Sequence, residues 1–94
     1  MTIREEHGRC PGGPASPAAR VDTRGSYCPV PIVKTAEAVK KLEPGECVEV
    51  ISDDPGFEAD LPLWCRSTGN ELVAMETAGR EIRAVVRRLP THSP

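Results

Sequence analysis

Apolar residues recur along this chain with two different periods, and the alternation between those periods suggests a fold. CVEVIS (47 to 52) is a short β-rich run. ELVAMET (71 to 77) and EIRAVVRRL (81 to 89) flank Ala78-Gly79-Arg80, a glycine-containing hairpin loop. In the last run Ile82, Ala84 and Val86 alternate with Arg83, Val85 and Arg87, so one face packs and the other largely meets water. A further short strand begins near Val21 and ends at about Asp22-Thr23, with Arg24 to Tyr27 as its turn.

Two stretches carry the helical period instead. Ile32, Val33, Ala36 and Val39 mark one face, while Lys34, Glu37 and Lys41 face water. Glu37 and Lys41 form an i, i+4 pair, and Pro44-Gly45 ends this helix. Leu61, Trp64, Cys65 and Thr68 share the face of a second helix, with Gly69 at its end. Asp53-Asp54-Pro55 offers a cap and a first-turn proline, and Pro62 argues for a break, with the helix proper starting near Asp60. The order is βαβαββ. It predicts an α+β two-layer sandwich: a four-stranded mixed sheet with two helices packed on one face.

Residues 1 to 20 are rich in Gly, Pro, Ala and Arg without periodicity, and are expected to be a disordered leader. The folded domain is expected to span 21 to 89, and 90 to 94 reads as a short tail. A chain of 94 residues leaves no room for a second domain. Its formal net charge of −2 offers no footprint for direct nucleic-acid binding. No apolar run approaches a membrane span, and MTIREEHGRC lacks the apolar core of a signal peptide. The expectation is a cytoplasmic protein.

That setting bears on the four cysteines at 10, 28, 47 and 65. A disulfide framework wants a secreted context, which the missing signal denies. Zinc wants paired knuckles or nearby histidines, whereas these cysteines are far apart and His7 and His92 lie in the tails. No metal and no organic cofactor is expected. Cys28 is different, because SYCPVP (26 to 31) places it at the expected N-cap of the first helix. There the dipole and free amide hydrogens favour a thiolate, and Arg24 in the turn before it could add to the effect. Pro29 and Pro31 shape the start of the helix. Pro31 also stands where a Cys-x-x-Cys motif would carry its resolving thiol. A single thiol without such a neighbour suits a persulfide carrier better than a dithiol oxidoreductase.

RGSYCPVP (24 to 31), EPGE (43 to 46), SDDP (52 to 55), DLPLWC (60 to 65) and the stretch from Gly69 to Glu76 together resemble the TusA family of sulfur carriers, also called SirA-like. The resemblance runs from Val21 to about Leu89 and includes the Arg24-Gly25-x-x-Cys28-Pro29-x-Pro31 signature. It implies the βαβαββ fold and a persulfide on Cys28. It further implies relay from a cysteine desulfurase or rhodanese-like donor to a downstream acceptor protein, as in tRNA 2-thiouridine synthesis. Molybdenum-cofactor assembly and sulfur oxidation are further pathways open to such a carrier. A monomer that uses no membrane is expected.

Plainer readings stand beside these. Cys65, next to Trp64 on an apolar face, reads as a buried hydrophobe, and Trp64 as core. Cys47 reads as packing or partly exposed, and Cys10-Pro11 as an accidental echo of Cys28-Pro29. Asp53 and Asp54 read as helix capping rather than a metal or acid–base pair. Arg80, Arg83, Arg87 and Arg88 fit a docking surface and a solvated sheet face equally well. Two other function classes remain: a non-catalytic regulatory or adaptor module using those arginines, and a single-thiol redox protein.

Overall fold

The computed structural model describes residues 17–90. Its elements are β1 (Ala19–Asp22), α1 (Val30–Lys40), β2 (Cys47–Ser52), α2 (Pro55–Thr68), β3 (Glu71–Ala78) and β4 (Glu81–Arg87). The sheet order is β1-β2-β4-β3. β1 lies parallel to β2, with Val21 opposite Val50, and both other pairings are antiparallel. The two strands richest in β-branched residues, β2 and β4, take the centre. The parallel pair needs a crossover, which α1 provides. The expected four-stranded mixed sheet and βαβαββ order are what the molecule has.

One face of the sheet carries the core. Val48 and Val50 of β2 and Ile82, Ala84 and Val86 of β4 meet Val39 and Leu42 from the end of α1 and Phe57, Leu61 and Cys65 of α2. β1 begins at Ala19 rather than near Val21, inside the stretch read as leader, and the Ala18 amide donates to the Cys47 carbonyl. Cys10 and both histidines lie outside the described residues.

Three local expectations need correction. The buried side of α1 is Pro31, Thr35 and Val39, and Val33 is 49% exposed. Thr35 can enter the core because its hydroxyl donates to the Pro31 carbonyl at 2.8 Å, which leaves no polar atom unsatisfied. Pro31 is itself fully buried, so it is a core contact as well as a shape for the helix start. α2 runs unbroken through Pro62. An interior proline costs about 3 kcal/mol, and burying Phe57 and Leu61 on the same helix returns about 1.5–3 kcal/mol each.

The opposite face of the sheet is largely polar. There Arg20 pairs with Glu49 at 2.9 Å, Glu49 with Arg83 at 3.5 Å, and Arg83 with Glu81 at 2.8 Å. Glu81 then meets Arg24 at 3.4 Å, and Arg24 meets Asp22 at 2.6 Å. Arg87 pairs with Glu71. Arg88 donates to the Lys40 and Leu42 carbonyls at 3.0 and 2.6 Å, satisfying the end of α1. Cys47 is fully buried on this face beside Val85 and is disulfide-bonded. The expectation of no disulfide, drawn from the missing signal peptide, is corrected at this residue.

Candidate functional site

Parallel neighbours end on the same side of a sheet, so the loop after β1 and the loop after β2 lie side by side. The first holds Thr23 to Pro29 and the second Asp53-Asp54. Thr23, buried, ties the first loop down by donating its amide and its hydroxyl to the Ile51 carbonyl, both at 2.7 Å. Gly25 has φ 87°, in the left-handed region that glycine enters without strain. Its amide donates to Asp53 Oδ1 at 3.1 Å. Three residues on, the Cys28 amide donates to Asp54 Oδ2 at 2.8 Å. Two consecutive carboxylates thus hold the loop that presents the thiol.

The helix does not start where the sequence suggests. Pro29 occupies the N-cap position, α1 begins at Val30, and the Cys28–Pro29 peptide bond is cis. The Tyr27 carbonyl accepts the Val30 amide at 2.9 Å. Cys28 therefore stands outside the first turn of α1, and its sulfur turns toward the first turn of α2. A Cβ placed on Gly56 would lie 3.5 Å from Cys28 Sγ and 3.1 Å from Asp54 Oδ2. A side chain there would be in ordinary contact with the sulfur and tight against the carboxylate, which would have to give by a few tenths of an ångström.

This arrangement reverses the expected electrostatics. The Cys28 thiol is pushed up to about 11, first by desolvation, then by its hydrogen bond to Asp54 and the Asp54 charge, then by Asp60 one turn further along α2. Arg24 gives it no help, because its guanidinium is held by Asp22 and Glu81 on the open face. That pairing pushes the Asp22 carboxyl down to about 2. At pH 7 the thiol of the unpartnered protein therefore rests in its neutral S–H form.

Asp54 was read as a cap for α2, and it does stand at the N-cap position in extended backbone. Its side chain makes no capping hydrogen bond of full geometry. The carboxyl is held below its usual range first by the Cys28 amide and then by the Cys28 thiol, the Gly56 backbone coming last. Asp54, Asp60 and Gly56 are the site residues that periodicity missed. Nothing in their spacing relates them to Cys28; only the parallel strand pair brings them there.

Among the described residues the free cysteines are Cys28, half-buried, and Cys65, buried. Cys65 is also pushed up to about 11, by desolvation alone. Tyr27 and Val30, which flank the thiol in sequence, are 76% and 40% exposed. No group of three metal-ligating side chains occurs among the described residues.

The family model described as Sulfurtransferase TusA matches residues 19–88. The chain is 41% identical over 73 residues to the Bacillus subtilis protein named "Putative sulfur carrier protein YrkF", covering 78% of this chain and 40% of that one. It is 42% identical over 69 residues to an Archaeoglobus fulgidus protein named "Putative sulfur carrier protein", covering 73% of this chain and 94% of that one. The chain thus spans less than half of the Bacillus relative and nearly all of the archaeal one. The crystal structure of a SirA-like protein from Desulfitobacterium hafniense shares the fold, with a TM-score of 0.66 at 22% identity over 77% of this chain and 99% of that one.

Proposed function

Since the chain belongs to the family described as Sulfurtransferase TusA, we propose that it is a sulfur carrier that accepts sulfane sulfur on Cys28 and passes it to a partner protein. One observation carries the residue assignment. Of the free cysteines among the described residues, only Cys28 has solvent access, on a loop held by carboxylates from a neighbouring segment. Exposed Tyr27 and Val30 leave apolar surface beside the thiol for a partner to cover.

The donor in this reading is a cysteine desulfurase or a rhodanese-like protein. The acceptor is a downstream enzyme of tRNA thiolation or of related sulfur trafficking. Pro29, Pro31 and Gly25 shape the site without touching the transferred atom. Arg24 is a brace of the loop rather than a partner of the thiol. The carrier works in the cytoplasm as a monomer; no helix among the described residues is long and apolar enough to cross a membrane.

The adaptor reading loses support because Arg83 and Arg87 are paired with glutamates and Arg88 closes α1. The thiol redox reading loses support because no second thiol is offered at position 31, a buried proline, and Cys65 is in the core. The test is mass spectrometry after incubation with a cysteine desulfurase and cysteine. One added sulfur mapped to Cys28, and lost on reduction, is the expected result; addition elsewhere, or none, overturns the assignment.

A further inference from the structure

The N-cap residue of α2 spends its side chain away from its own helix. Asp54 Oδ2 instead accepts the Cys28 amide at 2.8 Å, and that oxygen and the Cys28 sulfur both lie within 3.5 Å of where a Cβ on Gly56 would stand. The missing side chain at Gly56 gives the carboxylate its room against α2, with the sulfur beside it. The charged groups that face the sulfur are Asp54 and Asp60, both from α2 and its approach. α1 adds no acidic residue in its first turn, and the arginine of the thiol's own loop is turned to the other face. A site built to generate a thiolate would put a cation or a free amide donor where this one puts a carboxylate.

We propose that Asp54 is a positioning residue that keeps the empty carrier as a neutral S–H, so that Cys28 meets an anionic persulfide as its proton donor. This rests on the carrier reading above and adds the protonation state in which the carrier works. A persulfide anion is a nucleophile, and it repels a thiolate. The neutral thiol removes both obstacles. Cys28 S–H gives its proton to the outer sulfur of the donor R–S–S⁻, which becomes R–S–S–H. The Cys28 sulfur then attacks that outer sulfur, the donor S–S bond breaks, and R–S⁻ leaves with the electron pair. The products are Cys28–S–S–H and the donor thiolate; no oxidant or reductant is consumed. Until a persulfide arrives, the S–H form is a poor target for alkylation and oxidation.

The experiment has one arm without sulfur and one with it. In the first, the thiol is titrated by ultraviolet absorbance and by its rate of alkylation with iodoacetamide. The wild type should titrate well above the ordinary thiol value of about 8.5. Asp54→Asn keeps an oxygen for the Cys28 amide but loses the charge, so its midpoint should fall. Each pH unit of fall gives tenfold more thiolate of about threefold lower nucleophilicity, hence about threefold faster alkylation at pH 7. Asp54→Glu should restore the slow rate in part, and Asp60→Asn should shift the midpoint less than Asp54→Asn. In the second arm, sulfur transfer from a persulfidated desulfurase is followed against pH. The alkaline fall in transfer should move down in Asp54→Asn by the same interval as the thiol midpoint. A merely structural Asp54 would slow both reactions and leave both pH profiles in place.

A wild-type midpoint near 8.5 overturns the proposal without any variant, so it stays testable even if Asp54→Asn does not fold. A normal midpoint with sulfur still accepted on Cys28 sinks the role of Asp54 and leaves the carrier reading intact. A high midpoint with no sulfur accepted sinks both.

Discussion

Carboxylates serve two faces of this small molecule in opposite ways. On the open sheet face Asp22, Glu49 and Glu81 each meet an arginine, and Asp22 is held down to about 2 as a result. Beside the thiol, Asp53 and Asp54 meet backbone amides, and desolvation, then Asp54 and Asp60, push Cys28 up. The residue types are the same; what differs is whether a cation lies within reach. Arg24 sits between the two regions and faces the sheet side. The chain therefore keeps its positive charge away from its only accessible free thiol among the described residues. The lesson is that a cysteine near an arginine in sequence is not thereby activated, because a nearer carboxylate can claim the guanidinium first.

The sharpest way to break this comparison is at the sulfur itself. Cys28→Ser should lose labelled-sulfur acceptance down to background, while Cys65→Ala keeps it and melts lower by the loss of a small buried side chain. Acceptance by Cys28→Ser at the normal rate would remove the site assignment.

Pro31→Cys comes next in size. Pro31 is fully buried, so the new thiol is expected to be held among core side chains rather than free to meet Cys28. Overpacking and cavity terms at such a site usually cost about 1–3 kcal/mol. The expected result is a lower denaturant midpoint, no new intramolecular disulfide, and sulfur delivery per folded molecule close to normal. Release of sulfide with a 28–31 disulfide would show that the two positions do face each other.

Gly56→Ala sharpens the comparison with a smaller change. The added methyl lies 3.1 Å from Asp54 Oδ2, too close without movement, and 3.5 Å from the sulfur. Alanine regains up to about 1 kcal/mol of helix propensity, so melting should change little. The alkylation profile of Cys28 should change more, since the displaced carboxylate is its partner. A shifted melting curve with an unmoved alkylation profile would argue that the contact is packing alone.

The smallest effect is expected from Arg24→Ala. It removes the bridge from Asp22 to Glu81, an exposed contact that salt screens. The Cys28 titration should not move; a shift would mean the two regions are one electrostatic system. The acid limb should change as well. The Asp22 carboxyl is depressed in the folded state, so its contribution is present above about pH 4 and is lost as pH falls toward about 2. The wild type should lose more stability than the variant across that window, measured by denaturant titration at each pH.

The strand and helix pattern was legible because period and burial are local properties. Ile82, Ala84 and Val86 alternate in the sequence and are buried in the molecule. Where local rules failed, a tertiary term outweighed them. Pro62 forbids an unbroken helix by itself, yet α2 passes through it because Phe57 and Leu61 are buried on the same face. Thr35 carries no apolar signal, yet it is buried, because its hydroxyl donates to the Pro31 carbonyl.

The site divides along the same line. From residue order alone came the lone thiol of SYCPVP, the absence of a second cysteine at position 31, and a turn over Arg24 to Tyr27 before it. These are statements about which atoms the chain carries and how its backbone can bend. The charge state of the thiol is a statement about distance, and distance was set by packing. Asp54 is 26 residues away from Cys28 along the chain, and its carboxylate lies 2.8 Å from the Cys28 amide. β1 and β2 run parallel, their ends adjoin, and a carboxylate reaches the thiol that an arginine was expected to serve.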